Sequence, residues 1–437
     1  MNGLSECVER QGLRKDGSRK GAVAAKSKVT ISAARVAAFA ILEQVENSTA
    51  HSDDLLHGPA MVGLSQADRN LAMTLVLGVL RQQIALDARI RPLLQRPESK
   101  LASPVATALR IGAFQLLHLD RIPAHAALSE SVELARENGH PHAAGMVNAV
   151  LRGLTRAGAP RKPLVESTAA MAERLGHPAW LVERWMKYYG HAAAEKIAEY
   201  GAKEPGEGDL FERGEEDEPR MDDGSRLVAE LTAASVEAPK KIWDCCAAPG
   251  GKTMVLAARH PTAELLATDV SGRRLRAMET RLLREMPGVK VRTLETDATK
   301  LTESEGEFDL ILCDVPCSGT GTLARNPEIR LRLESADLAK QAKRQREILA
   351  AAAKRLAPRG RLVYSTCSLE PEENEAVVDA VLEKMSGFER IDVGTVLRKI
   401  ELRGDKSELM HEENLRTLPG VGFKGDGFFA AVIERRN

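Results

Sequence analysis

Between residues 31 and 160, apolar residues recur every three or four positions, which is the period of an amphipathic α-helix. The first such segment follows Ser32, a residue type that caps helices, and later segments begin near Ser65 and Pro123. The last segment extends over residues 143–154. Five or more amphipathic helices joined by short polar stretches predict a compact helical bundle.

From about residue 240 the pattern changes to short apolar runs separated by helical segments of roughly 10–20 residues. This alternation predicts a parallel, doubly wound α/β sheet. The predicted strands are 241–246, 264–268, 290–294, 308–313 and 361–366, and the predicted helices are 252–259, 271–285 and 335–356. The final apolar run, 427–434, predicts a strand at or near an edge of the sheet.

The segments before and between these regions are polar. Residues 1–30 carry seven basic residues without an apolar core, which predicts a disordered tail, with an RNA-binding arm as the alternative, and excludes a signal peptide. Between Lys203 and Asp223, ten acidic residues outnumber three basic ones, as is typical of an exposed linker. We therefore divide the remaining chain into a helical domain (31–160), a helical and acidic linker (161–225) and a sheet domain (226–437).

Composition agrees with a soluble globular protein, since 43% of the 437 residues are hydrophobic and 28% are charged. The net charge of zero argues against a protein that coats a polyanion but allows local basic patches.

The six cysteines include the adjacent Cys245 and Cys246 and no C-x-x-C pair, so neither a disulfide framework nor a metal site is expected. No apolar stretch approaches 18 residues, so no membrane span is predicted. A reduced cytoplasmic protein is the simplest interpretation.

Two cysteines directly follow predicted strands. Cys317 lies in an Asp-Val-Pro-Cys-Ser-Gly segment and Cys367 in a Tyr-Ser-Thr-Cys-Ser segment. Because ligands bind at the carboxyl ends of the strands in such sheets, both thiols are expected at the binding edge. A free cysteine is most often a buried core residue, an interpretation that suits Cys245, Cys246 and Cys313 better. For Cys317 and Cys367, a chemical role is favoured by their positions at strand ends and by the proline and glycine next to Cys317.

A glycine-rich turn, residues 244–253, follows the first predicted strand. A phosphate-binding P-loop would need glycine where Cys246 stands, and the Ala-Ala-Pro-Gly-Gly-Lys sequence is not the G-x-G-x-x-G of dinucleotide sites. Asp269 lies roughly 20 residues beyond the turn, where an acid binds ribose hydroxyls in nucleotide-binding sheets. Aspartates also end other strands at Asp244, Asp297 and Asp314, although any one of them alone could be a helix cap. S-adenosylmethionine (SAM), which has no phosphate, suits such a site.

Two neighbouring thiols suit methyl transfer to cytosine C5. That carbon is too weak a nucleophile to accept a methyl group unaided, and addition of a thiolate to C6 makes it enamine-like. After methyl transfer the C5 proton must leave and the thiol must be eliminated, which a second thiol can assist. Cys317 and Cys367 supply such a pair.

Three segments resemble the motifs of the RNA 5-methylcytosine methyltransferases of the RsmB/Nop2/Sun family, most closely its bacterial RsmB branch. They are the segments around Cys317 and Cys367 and the turn at 244–253. Residues 325–327 (Arg-Asn-Pro) and 426–429 (Asp-Gly-Phe-Phe) also fit this family. The helical region resembles the NusB-like RNA-binding domain of that branch through residues 121–127 and 147–152.

The resemblance implies a multidomain protein, with an N-terminal all-α NusB-like bundle followed by a Rossmann-like class I SAM-dependent methyltransferase domain. It implies that Cys367 is the nucleophile and that Cys317 aids product release. It also implies a set of cofactor-binding residues, namely Cys246, Ala247, Ala248, Pro249, Gly250, Gly251, Lys252, Asp269, Asp297 and Asp314.

We therefore expect a monomeric, SAM-dependent cytosine-C5 RNA methyltransferase that acts on 16S ribosomal RNA or a small-subunit assembly intermediate. The chain departs from the family in one respect, because the small α/β segment that usually precedes the methyltransferase sheet is here short and acidic. The alternative function is a non-catalytic RNA-binding or assembly factor that keeps the cofactor fold. A methyltransferase for small molecules or proteins would leave the two thiols and the helical domain unexplained.

Overall fold

The computed structural model describes residues 30–157, 166–212 and 221–436. Almost all of the predicted basic tail and two parts of the predicted linker, 158–165 and 213–220, lie outside the described residues.

The helical domain is a bundle, as the hydrophobic period predicts. Its α-helices are α1 (Ala33–Asn47), α2 (Ser52–Leu56), α3 (Gln66–Ile90), α4 (Ser103–His118), α5 (Ala124–Glu137) and α6 (Ala144–Ala157). The long helix α3 begins at Ser65, whose hydroxyl accepts a hydrogen bond from the Asp68 N–H and so caps the helix. Apolar side chains from α1, α3, α4, α5 and α6 share one core.

Although no membrane span was predicted, helix α3 with the turn that follows it has the length and composition of one over Gln66–Leu93. The mean hydropathy of its most apolar window is 1.3, and 44% of that window is buried inside the protein. Leu75, Val76 and Val79 lie in the core of the bundle. The apolar character of α3 therefore has an explanation within the folded helical domain.

Three helices of the predicted linker form a packed unit of their own. They are α7 (Thr168–Arg174), α8 (Ala179–Tyr189) and α9 (His191–Gly201), and the fully buried Trp185 lies in their core. Leu323 and Leu369, from loops of the sheet domain, belong to the same apolar cluster. The linker helices thus pack against the loops that follow the strands.

The sheet domain contains a nine-stranded mixed sheet. Its strands are β1 (Lys241–Asp244), β2 (Glu264–Asp269), β3 (Val291–Glu295), β4 (Phe308–Asp314), β5 (Leu356–Thr366), β6 (Phe388–Ile391), β7 (Met410–His411), β8 (Asn414–Arg416) and β9 (Phe429–Arg435). The main path has the order β3-β2-β1-β4-β5-β9-β8-β7. Strands β1 to β5 are parallel, as predicted, and β9 runs antiparallel to β5.

The last strand, predicted at or near an edge of the sheet, is β9, which lies one strand in from the edge where it pairs with β6. One side of β9 pairs with β5, and its other side is shared by β8 at Phe429 and Ala430 and by β6 from Val432 onwards. Short strands that pair over only two to four residues carry little hydrophobic pattern, so β6, β7 and β8 escaped prediction.

Helices cover both faces of the sheet. The α-helices of this domain are α10 (Asp223–Ser235), α11 (Gly251–Arg259), α12 (Gly272–Glu285), α13 (Ile329–Arg332), α14 (Ser335–Ala353), α15 (Glu375–Leu382) and α16 (Val393–Leu397). Side chains of α10, α11, α12 and α16 share one core with Ile242, while those of α14 and α15 share another with Trp243. Successive strand residues thus face opposite layers, as the pleat requires.

A buried arginine joins the three parts of the chain. Arg330 in α13 is 1% exposed, and its guanidinium donates hydrogen bonds to the backbone carbonyls of Arg81, Gly176, Gly201 and Leu323. Within the described residues no carboxylate forms an ion pair with this guanidinium. Burial lowers the pKa of Arg330 to about 9, so the side chain stays charged at neutral pH. The cation is stabilised by carbonyl dipoles from the bundle, the linker helices and the sheet domain.

Replacement of Arg330 should therefore destabilise the whole protein. For Arg330→Met we expect the free energy of unfolding to fall by about 3 kcal/mol or more, because four buried carbonyls lose their donor. Denaturant unfolding measures this change. Arg284→Ala is the control, since that side chain is 72% exposed and its ion pair with Glu285 should contribute less than about 1 kcal/mol. Equal effects of the two substitutions would contradict the assigned role of Arg330.

Candidate functional site: two thiols at the carboxyl edge of the sheet

The pairing of β4 with β5 brings the two predicted thiols together. The strands are adjacent and parallel, with Asp314 opposite Ser365. Cys317 and Cys367 follow the ends of these strands by three residues and one residue. Their sulfur atoms are 3.3 Å apart, within hydrogen-bonding distance for a thiol.

The two loops that carry the thiols are bonded to each other. The Gly321 N–H donates to the Cys367 carbonyl at 2.9 Å, and the Leu369 N–H donates to the Thr320 hydroxyl oxygen at 2.9 Å. Position 321 has no room for a side chain, because a Cβ there would lie 2.2 Å from the Gly427 carbonyl oxygen. The segment before β9 therefore packs directly against the Cys317 loop.

A buried carboxylate, that of Glu373, holds both loops from beneath. It accepts hydrogen bonds from the Ser318 N–H at 2.9 Å, the Gln345 side-chain amide at 3.0 Å and the hydroxyls of Ser318 and Ser368. Ser318 and Ser368 each follow one of the thiols directly in sequence. Glu373 is thus bonded to the residue after each cysteine, an arrangement that positions the two thiols.

A charged pair lies next to the thiols. The Lys252 ammonium donates to the Asp314 carboxylate at 2.7 Å and lies 4.9 Å from the centre of the Phe428 ring. Burial alone would lower the pKa of Lys252, but the charge of Asp314 and the hydrogen bond to it outweigh burial and raise the pKa. Cys367 is close enough to contribute to the same increase. Lys252 is therefore a cation at the edge of the sheet that carries the two thiols.

The glycine turn after β1 is held against the end of β2. Asp269 accepts hydrogen bonds from the Ala248 N–H at 3.3 Å and the Ser271 N–H at 2.9 Å, and Arg274 donates to the Ala248 carbonyl. Gly250 has a φ of +96°, a left-handed conformation that favours glycine, and it precedes α11 directly. Asp269 therefore orders the turn and also presents its carboxylate at the sheet edge.

A cavity of about 370 Å³, called here the thiol cavity, lies at this edge of the sheet. Seven of the predicted site residues line it: Cys246, Ala248, Asp269, Asp297, Asp314, Cys317 and Cys367. The other five, Ala247, Pro249, Gly250, Gly251 and Lys252, do not contribute to its wall. They form the turn and the first residues of α11 behind the wall.

The acidic groups of this region differ in their protonation. Burial raises the pKa of Asp244, which bonds to the Thr253 hydroxyl, to about 7. In contrast, hydrogen bonds from Thr299, foremost from its backbone N–H, lower the pKa of Asp297 and keep it ionised. Over residues 30–157, 166–212 and 221–436, no group of three or more histidine, cysteine or acidic side chains is placed to hold a metal ion.

The hydrogen bond to Cys367, together with burial, raises the pKa of the Cys317 thiol well above its ordinary value. Cys317 therefore keeps its proton at neutral pH and can donate it towards the Cys367 sulfur. Of the other three described cysteines, Cys245 and Cys313 are buried in the sheet core, whereas Cys246 is half-buried and lines the thiol cavity.

Sequence reasoning missed the residues that support the thiols. Glu373 and Gln345 lie outside the predicted motifs, and Ser318, although it lies in the Cys317 motif, was given no role. His51, from the helical domain, also lies in the wall of the thiol cavity and was not predicted there.

Comparisons with known proteins agree with this geometry. A family model described as "16S rRNA methyltransferase RsmB/F" matches residues 232–434, and a model of the NusB family matches residues 32–156. The chain is 31% identical to the "Probable ribosomal RNA small subunit methyltransferase B" of Bacillus subtilis, over 91% of this chain and 98% of that protein. It is 32% identical to the "Ribosomal RNA small subunit methyltransferase B" of Salmonella arizonae, over 92% and 98%.

A solved structure shows the same fold. The crystal structure of PH0851 covers 93% of this chain and 100% of its own, with a TM-score of 0.71 and 21% identity. The predicted architecture, a NusB-like helical domain followed by a Rossmann-like methyltransferase domain, is thereby confirmed.

The carboxylate beneath the thiols provides a test of the site. Glu373→Ala should lower the free energy of unfolding by about 2–4 kcal/mol, because it leaves buried donors without an acceptor. The neighbouring Glu372 is 41% exposed, and Glu372→Ala should change stability by less than about 1 kcal/mol. Denaturant titrations of both variants measure the difference. A Glu373→Ala protein as stable as the wild type would show that its hydrogen bonds do not hold the loops.

Proposed function

Since this chain belongs to the RsmB/F family of 16S ribosomal RNA methyltransferases, we propose that it methylates C5 of a cytosine in small-subunit ribosomal RNA. The observation that carries the C5 chemistry is the 3.3 Å separation of the Cys317 and Cys367 sulfur atoms in the wall of one cavity. Two thiols at the binding edge can carry out the two steps that this reaction requires: one activates C5 and the other assists release of the product.

In this proposal Cys367 is the nucleophile. Its thiolate adds to C6 of the cytosine, which makes C5 nucleophilic enough to accept a methyl group. The Lys252 ammonium, bonded to Asp314, places a positive charge at the same edge of the sheet. When C5 has been methylated, water takes the C5 proton, the electron pair of the C5–H bond forms the C5–C6 double bond, and the bond between C6 and sulfur breaks with its electron pair on sulfur, which restores the aromatic ring and the Cys367 thiolate.

Cys317 assists the second half of the reaction. Its raised pKa keeps the proton on this sulfur, so Cys317 is a poor nucleophile but can hydrogen-bond to the departing Cys367 sulfur. The geometry alone is symmetric between the two thiols. The division of roles follows the family resemblance, in which the cysteine of the Thr-Cys-Ser segment is the nucleophile.

The cofactor is SAM, which supplies the methyl group when bound. We assign its site to the thiol cavity, whose volume of about 370 Å³ is in the range of small-molecule sites. SAM carries a sulfonium and an ammonium, and three carboxylates, those of Asp269, Asp297 and Asp314, line this cavity. The five predicted cofactor residues outside the wall, Ala247, Pro249, Gly250, Gly251 and Lys252, would position the turn.

The helical domain would provide affinity for RNA, as its match to the NusB family suggests. A cytoplasmic location and a monomeric state stay predictions. The alternative function, a non-catalytic assembly factor, predicts no methyl transfer from labelled SAM to small-subunit ribosomal RNA by the wild-type protein.

Replacement of each cysteine by alanine should block a different step of the reaction. Cys367→Ala cannot form the covalent bond to C6, so methyl transfer should cease and no protein–RNA adduct should form. Cys317→Ala should still attack and transfer the methyl group but release the product slowly. The expected result is a protein–RNA species that survives a denaturing gel in Cys317→Ala and is absent from the double variant.

Two outcomes would contradict these roles. An adduct that accumulates in Cys367→Ala instead would show that the roles are reversed. Two destabilised variants without any adduct would show that both thiols are structural. Cys313→Ala, a buried cysteine of the same sheet, is a control that should not trap RNA.

Asp269 tests the position of the cofactor. Asp269→Ala should weaken SAM binding by about 1–3 kcal/mol, because it removes a charge-assisted interaction and an acceptor that orders the turn at Ala248. Isothermal titration calorimetry with SAM measures the change. Glu264→Ala, at the exposed opposite end of the same strand, should bind SAM as the wild type does. If Asp269→Ala bound SAM with wild-type affinity, Asp269 would not be part of the cofactor site.

A further inference from the structure

The wall of the thiol cavity is not made by the methyltransferase domain alone. His51, which precedes α2 in the helical domain, lies in this wall together with Asn326 from the loop after Cys317 and Ile329 from α13. The helical domain therefore reaches the place where the proposed reaction occurs.

Buried hydrogen bonds hold this part of the helical domain in position. The Glu328 carboxylate, fully buried, accepts from the Ser52 N–H at 3.1 Å and the Ser52 hydroxyl at 2.8 Å. Arg332 donates to the carbonyls of Val45 at 2.7 Å and Ala50 at 2.9 Å. The backbone on both sides of His51 is thus fixed to the sheet domain, so the position of His51 at the cavity does not depend on its own side chain.

The His51 ring is held at one nitrogen and is largely open to solvent. Its Nδ1 lies 3.3 Å from the Glu328 carboxylate, while 64% of the side chain is exposed. The hydrogen bond to Glu328 raises the pKa of His51 against the opposing effects of burial and of Arg332, and Asp54 adds to the increase. The protonated ring can donate from Nδ1 to Glu328 and from Nε2 to a ligand.

The charges around the cavity are suited to a nucleotide. Arg274 and Arg344 line the cavity besides His51, and the three come from different elements, α12, α14 and the segment before α2. The carboxylates of Asp269, Asp297 and Asp314 also line it, and we have assigned them to the cationic cofactor. A target base that enters this cavity brings its own phosphates to the rim, where cationic side chains can contact them.

We propose that His51 binds an RNA phosphate next to the target nucleotide, so that the helical domain supplies part of the substrate site for methylation. This inference rests on the proposed function, because it takes RNA as the substrate. The competing explanation is that His51 only helps to dock the two domains through Glu328.

The test compares three variants of the full chain in equilibrium binding to a small-subunit ribosomal RNA fragment, by fluorescence anisotropy at pH 6 and pH 8.5. His51→Gln should bind RNA about 10-fold more weakly than the wild type at pH 6, where the imidazolium would be present. The slope of log Kd against log salt should decrease by about 0.7, as expected for the loss of one phosphate contact to single-stranded RNA. Both differences should shrink at pH 8.5, because the wild-type ring loses its charge above its pKa.

Two controls separate binding from docking. His57 follows the end of α2, the helix that His51 precedes, and its side chain is 74% exposed. The variant His57→Gln should leave RNA affinity unchanged at both pH values. Ser52→Ala removes a docking hydrogen bond to Glu328 but keeps the imidazole. It should lower stability without changing the salt slope.

The inference would be overturned if His51→Gln bound RNA as the wild type does, or if Ser52→Ala reproduced its loss of affinity and salt dependence. These outcomes are distinct from failure of the proposed function. RNA binding is measured without catalysis, and the absence of methyl transfer in the wild-type protein would be seen independently with labelled SAM.

Discussion

The guanidinium of Arg330 is a buried cation surrounded by backbone carbonyls, and the relative position of the three parts of the chain depends on it. Its hydrogen bonds reach α3 of the bundle, the turn after α7, the end of α9 and the loop after Cys317. A buried carbonyl without a donor costs free energy, so each of these four segments is more stable when it meets the same side chain. The loop that carries one thiol is therefore fixed by contacts with parts of the chain far away in sequence.

The same loop makes further charged contacts on either side of Arg330. Glu328 and Arg332 hold the helical domain near His51, and Arg325 forms ion pairs with Asp222 at 2.8 Å and Asp426 at 3.1 Å. Burial raises the pKa of Asp426 to about 8, although Arg325 opposes this increase. The Arg-Asn-Pro and Asp-Gly-Phe-Phe segments that fit the family motifs thus meet each other, which gives both an architectural role.

Local patterns in the sequence were sufficient to predict the bundle, the parallel strands and the meeting of the two thiols. Strands β4 and β5 are apolar and end next to the cysteines, and right-handed α/β connections place such ends at one edge. The extension of β5 back to Leu356 was not predicted, because Pro358 and Gly360 are typical turn residues. The residue between them, Arg359, has a φ of +62°.

Contacts between distant segments could not be predicted in this way. Glu373 has the sequence surroundings of an exposed acid, and only tertiary packing makes it the acceptor for both thiol loops. His51 lies in a polar stretch of the helical domain, and nothing in its neighbourhood in sequence indicates the thiol cavity. Hydrophobic periodicity describes which face of an element is buried, whereas these contacts depend on how whole domains meet.

The docking of the helical domain through Arg330, Glu328 and Arg332 has a consequence for which RNA molecules can react. If the bundle holds RNA, the separation between that anchoring point and Cys367 is set by the protein and not by a flexible tether. An RNA that binds the bundle but presents its cytosine at another distance would be held without being modified. Selection would then follow the three-dimensional shape of the folded RNA, which suits a substrate class whose double helices expose little readable sequence.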